Sequence, residues 1–174
     1  MFSIVMLTAR SAQYVASHPL GATETYMLAA IPITYEALES ALEWSSSGGP
    51  FENEALLCRE TGKVFLKSMH GDFGVELPGD IEDGTAYIAV PHKKDLNLGR
   101  SLVIAFAEAE APTHLHAIES FFRQRGAHAK FKGLLERSHL LERWYQYEAA
   151  ATREALEAWA VDNGFVVVRR AGDA

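Results

Sequence analysis

The chain has 174 residues, 48% of them apolar, with 16 basic and 23 acidic side chains and a net charge of −7. That length and apolar content suit one globular domain with a packed core. The acidic balance works against broad contact with a phosphate backbone or an anionic membrane, and so disfavours a general nucleic-acid binder.

In chain order, "MFSIVML" is apolar but lacks the basic n-region of a secretory signal, and it is far shorter than the ~18 apolar residues of a membrane span. Ser11, Gln13, Ser17, Pro19, Gly21 and Thr23 interrupt any strict period, so residues 1–30 read as an atypical, loosely packed leader to a single domain over 31–170. "TYEALESALEW" sets Leu38, Ala41 and Leu42 on one face and predicts a short helix capped by Thr34, ended by "SSSGGP". "NEALLCRETGKVFLKS" predicts a β-hairpin. A two-residue Thr61-Gly62 turn would pair Cys58 with Phe65 and Leu57 with Leu66. A turn-rich loop follows, and "AYIAVP" predicts a third strand stopped by Pro91.

Beyond Pro91 the apolar period changes from 2 to about 3.6. "LGRSLVIAFAEAEA" points Leu98, Leu102, Ile104 or Ala105, and Phe106 inward, and Pro112 ends it. "THLHAIESFFRQR" carries Leu115, Ile118 and Phe122; "AHAKFKGLLERS" carries Ala127, Phe131, Leu134 and Leu135. Ser138 is placed to cap "HLLERWYQYE", with Leu140, Trp144 and Tyr147 in line, and a separate last helix is expected from Thr152 to Asn163, stopped by Gly164. "FVVVRR" reads as a final edge strand. The fold class is therefore α+β: a short N-terminal helix, a small antiparallel sheet with a hairpin, then a layer of four to five helices.

Charge is unevenly spread along this plan. Residues 1–122 carry a net −9, residues 123–153 have 7 basic against 3 acidic side chains, and residues 154–174 carry a net −2. In the basic stretch Phe131, Trp144, Tyr147 and, beyond it, Trp159 fall on inward stripes, while Arg125, His128, Lys130, Lys132 and Arg137 turn outward. Screening confines exposed charges to a range of about 8–10 Å, so a local patch can hold an anion despite the net charge. These five residues form the candidate ligand-binding surface. Its expected partner is a protein or an anionic ligand; RNA is a further alternative.

Recognisable catalytic patterns are missing. His114 and His116 stand about 200° apart on a helix and cannot grip one metal from one face, and no zinc-type cysteine or histidine spacing occurs. Asp80, Glu82 and Asp83, with Asp72 and Glu76, crowd one loop where they could act as acid and base or hold a cation, although the calcium-loop spacing is absent. This loop supports the alternative of a metal-assisted hydrolase or transferase. "SSSGGP" lacks the lysine of a phosphate loop, and "GDFG" stands without the other kinase signatures. No cofactor is expected. The single cysteine, Cys58, excludes an intramolecular disulfide and fits a reducing cytoplasm; inside "ALLCRE" it reads as a small buried hydrophobe.

The helix ending in Trp44, the "ETGKV" hairpin, the "YIAVP" strand, then "RGAHAKFKGLL", "ERWYQYE" and "ALEAWAVDNGF" resemble an uncharacterised UPF family of small bacterial proteins. The resemblance runs from about Ile33 to Val167; the 1–30 leader is extra and the loop from His70 to Gly84 is expanded. It implies bacterial origin and a cytosolic α+β protein without an assigned activity, and it carries over no catalytic residue. The sequence thus points to a small cytosolic binding or regulatory module and away from an enzyme.

Overall fold

A computed structural model describes residues 30–48, 52–70 and 77–168. The leader expected over 1–30 falls almost wholly outside them, as do Asp72 and Glu76. The architecture is α+β. In chain order it runs through β1 (Ile31–Thr34), α1 (Tyr35–Ser46), β2 (Asn53–Cys58), β3 (Val64–Ser68) and β4 (Tyr87–Ala89). It continues through α2 (Arg100–Glu110), a 3-10 turn at Pro112–His114, α3 (Leu115–Phe121), α4 (Ala127–Arg137), α5 (Leu141–Asp162) and β5 (Phe165–Val168).

The first helix forms as its sequence demands. Thr34 Oγ1 accepts from the Ala37 N–H at 3.2 Å, and Leu38, Ala41 and Leu42 are buried on one face. Strands β3, β2 and β4 make an antiparallel sheet in that order, but the hairpin register differs from expectation. Leu57 pairs with Val64 and Leu56 with Phe65, because the loop is four residues long and closes on Cys58 and Lys63. A two-residue turn of the commonest kind needs positive φ at both central positions; Gly62 has it at +70° and the β-branched Thr61 does not. The slip is by two residues, so it conserves the faces: Ala55, Leu57 and Val64 still share one side, and Leu56, Cys58 and Phe65 the other.

A second sheet, parallel and two-stranded, joins β1 to β5 and so ties the two ends of the described chain together. Pro32 sits in β1 without disrupting it. The Ile31 N–H donates to the Gly164 carbonyl at 3.2 Å, so strand alternation turns the proline nitrogen away from β5, where no donor is needed.

The helical half departs from expectation in α5. Two separate helices were expected from Ser138 to Asn163; one helix of 22 residues forms instead, about 33 Å long. Glu148, Ala149, Ala150 and Ala151 link the two periodic segments with good helix formers, and Thr152 Oγ1 donates to the Glu148 carbonyl at 2.8 Å inside the helix rather than capping a new one. Ser138 likewise caps no N-terminus: it ends α4, and its hydroxyl meets His114 Nε2 at 3.2 Å. In α2 the inward set is Leu102, Val103, Phe106 and Ala107, with Ala105 exposed.

Helix α5 serves two cores. Its C-terminal half places Leu156 and Ala160 with α1, β1, β2 and Phe165; its N-terminal half places Trp144 with α2, Ile118, Phe131 and Leu135. A third cluster, Leu56, Phe65, Ile81 and Tyr87, covers the other face of the antiparallel sheet. Half-buried Leu98, just before α2, packs against both main cores. Among the described residues no helix is long and apolar enough to cross a membrane.

Candidate functional site

Helix α4 forms around Phe131 and Leu135, both wholly buried, after Gly126 turns the chain with φ +74°. The five candidate residues therefore take positions fixed by helical geometry. Arg125 precedes the helix and is exposed. At about 100° per residue, counted from Phe131, Lys132 and His128 lie about 100° and 60° to one side, whereas Lys130 and Arg137 lie about 100° and 120° to the other. The basic stretch is thus two flanks separated by the buried stripe.

On one flank Lys130 bonds the neutral Gln124 Oε1 at 2.5 Å, and Arg137 is exposed near Gly133. The other flank faces α5 and the loop before α2. There Lys132 Nζ stands 5.0 Å from the centre of the Tyr145 ring, and His128 meets the Phe122 ring edge-on at 5.2 Å. None of the five forms an ion pair with a described carboxylate. Elsewhere cations do find acids: Lys67 pairs with Glu54 and Glu82, Arg143 with Glu110, and Arg153 with Glu157.

The second flank leads to a groove of about 540 Å³ between α1 and α5. Its lining includes the apolar Leu42, Leu98 and Ala149, and Tyr145. Glu39 and Glu43 come from α1, Glu148 from α5, and Lys93 from the loop, whose backbone N–H is held by Ser46 Oγ at 3.0 Å. Sequence periodicity did not reveal Lys93, because it lies 35 residues before His128 in a segment with no helical repeat. Partial burial, then the positive charge of Lys93 and to a lesser degree that of Lys132, hold His128 below the usual 6.5, while Glu148 opposes them. The neutral imidazole is favoured in the fold. Between the folded and unfolded pKa values the unfolded chain binds more proton, so this residue's contribution to stability is present above pH 6.5 and is lost as pH falls through the lowered folded value. A proton-NMR titration should place the His128 midpoint below 6.5, and Lys93→Met should move it upward.

The acidic loop is organised differently. Asp80 accepts from the Tyr87 hydroxyl at 3.2 Å, Glu82 bonds Lys67, and Asp83 Oδ1 accepts from the Thr85 hydroxyl and N–H at 2.7 and 2.8 Å. The Thr85 hydroxyl and N–H hold the Asp83 carboxyl below its usual range. Each of these three carboxylates thus fastens a different neighbour, and among the described residues no acid–base pair is assembled. A second groove, also of about 540 Å³, is lined by Glu54, His92 and Asp95, but His92 Nδ1 accepts from the Lys94 N–H at 3.0 Å and Asp95 accepts from the His92 N–H at 3.3 Å. Those polar atoms shape the loop itself.

Two further groups have nucleophilic or ligating chemistry. The Ser138–His114 contact joins a hydroxyl to an imidazole, yet among the described residues no carboxylate orients the other ring nitrogen. Cys58 is half-buried against the third cluster; desolvation would raise its pKa, but hydrogen bonds from Thr61 and Glu60 outweigh that and lower it. Among the described residues no three His, Cys, Asp or Glu side chains are grouped to hold a metal ion.

The described residues define an α+β protein with a run of basic side chains, unpaired among the described residues, on both flanks of α4. No family model, curated protein or solved structure matches the chain, and the resemblance to an uncharacterised bacterial family rests on motif order alone.

Proposed function

We propose that this chain is a small non-enzymatic binding or regulatory module that takes an anionic ligand, or an anionic group of a protein partner, on the basic side chains of α4. The observation that carries this reading is the concentration of Arg125, His128, Lys130, Lys132 and Arg137 on α4 and the turn before it, none of them with a carboxylate partner among the described residues. Arg125, Lys130, Lys132 and Arg137 keep their charge available to a ligand, whereas a paired cation must first give up its acid; His128, neutral in the free protein, gains its proton when an anion binds beside it. The single cysteine supports a reducing, cytoplasmic setting, and the motif order supports a bacterial source.

The test is a calorimetric titration with inorganic pyrophosphate at low salt. Binding should weaken as salt rises, since exposed charge pairs are screened. Lys130→Glu combined with Lys132→Glu should lower affinity by at least about tenfold, the effect of roughly 1.4 kcal/mol. Unchanged association in that double variant would remove the basic surface from the account.

A further inference from the structure

We infer that the groove between α1 and α5 is a binding site for a small zwitterion, a molecule carrying a primary ammonium group and a phosphate or carboxylate on a short apolar stem. This rests on the reading of α4 as an anion-binding surface and adds a second charge to its ligand.

Opposite charges line this groove without neutralising one another. Glu43 on α1, Glu148 on α5 and Lys93 on the intervening loop form no ion pair among the described residues, although all three border the same space. Glu39 differs, since its Oε1 accepts from the Tyr35 hydroxyl at 2.9 Å. Lys and Glu side chains within reach of each other gain by pairing; charges held apart across a groove are instead available to a bipolar molecule that spans them.

The remaining lining fits such a molecule. Leu42, Leu98 and Ala149 supply apolar surface for a methylene stem. The volume of about 540 Å³ lies within the range usual for small-molecule sites. At one margin Lys132 rests on the ring of Tyr145, one of the lining residues, and so brings a second cation to the edge of the groove. The depressed titration of His128, caused in part by both lysines, places that imidazole within their field and Glu148 within reach of it. The charges assign the anionic end of the ligand to Lys93, with Lys132 at the margin, and the ammonium end to the carboxylates of Glu43 and Glu148. A purely anionic molecule would meet those two carboxylates unfavourably.

The probes are phosphoethanolamine and ethyl phosphate, which share the phosphate monoester and differ by the ammonium group, titrated into the full chain at low salt and followed by amide chemical shifts. Phosphoethanolamine should bind about fivefold more tightly or better, as expected for one partly desolvated ion pair. The shifts should centre on Lys93, Tyr145 and Glu148, and the His128 midpoint should rise on binding. Glu43→Gln with Glu148→Gln should abolish the preference and leave ethyl phosphate binding at least as tight; Lys93→Met should weaken both probes. Equal binding of the two probes to the unaltered chain would overturn the zwitterion and leave the anion site standing. Saturable shifts confined to α4, with none in the groove, would overturn the zwitterion site and leave the anion surface standing; absence of saturable shifts in both places would overturn both readings.

Discussion

Trp144→Ala is expected to lower stability by about 3–5 kcal/mol, the usual cost of truncating a large buried aromatic. Trp144 is 1% exposed and meets Phe106 and Phe131 edge to face at 5.2 and 4.9 Å, so the deletion opens a cavity where α2, α4 and α5 meet. Trp144→Phe should cost distinctly less. Among the described residues the buried indole Nε1–H has no hydrogen-bond partner, and phenylalanine removes that donor while keeping a ring, offsetting part of the lost area. Urea denaturation of both variants checks the order. Equal losses would mean that a phenyl ring recovers none of the packing the indole supplies between Phe106 and Phe131.

Gly62→Ala is the second large effect. Its φ of +70° already disfavours any side chain, and an added Cβ would stand 2.7 Å from the Pro32 carbonyl oxygen, a backbone atom that cannot swing aside. Gly126→Ala is the internal control: φ is +74°, but no atom of the described residues lies within 4 Å of the added carbon. The control should lose about 1–2 kcal/mol from backbone strain alone. Gly62→Ala should lose more, because the hairpin loop must also move off β1. Equal midpoint shifts for the two variants in chemical denaturation would show that the hairpin tip yields freely.

Much of this fold is legible in residue spacing. Thr34 and the stripe of Leu38, Ala41 and Leu42 specify α1 locally, and Phe131 with Leu135 specifies the inward face of α4. The parallel pairing of β1 with β5 was not legible, since each strand is four residues long and the partners are separated by more than 130 residues. The continuity of α5 was obscured by Thr152, whose hydroxyl suits both a cap and an internal bond to the preceding turn. In the hairpin, "ETGK" names a turn but not its length; the distinction lay in the refusal of Thr61 to take positive φ.

The candidate site was legible only as a list of charges. Sequence order makes Lys130 and Lys132 neighbours, yet a helix sends residues two apart to opposite sides, so the basic stretch divides into a Lys130–Arg137 flank and a His128–Lys132 flank. Only the second reaches a groove, through the contact of Lys132 with Tyr145, and the cation that lines it, Lys93, comes from a loop far away in the chain. Acidic Asp80, Glu82 and Asp83 were legible as a cluster, but their hydrogen bonds direct them to Tyr87, Lys67 and Thr85 separately. Residue type announced charge; geometry decided which charges could act together.

The most direct measurement of the central claim is an amide-shift map recorded during a pyrophosphate titration of the full chain at low and raised salt. Saturable shifts are expected on α4, strongest at His128 and Lys132 and extending to Lys93, with affinity falling as salt increases. A flat map, or saturable shifts centred on Asp80–Asp83, would contradict that claim.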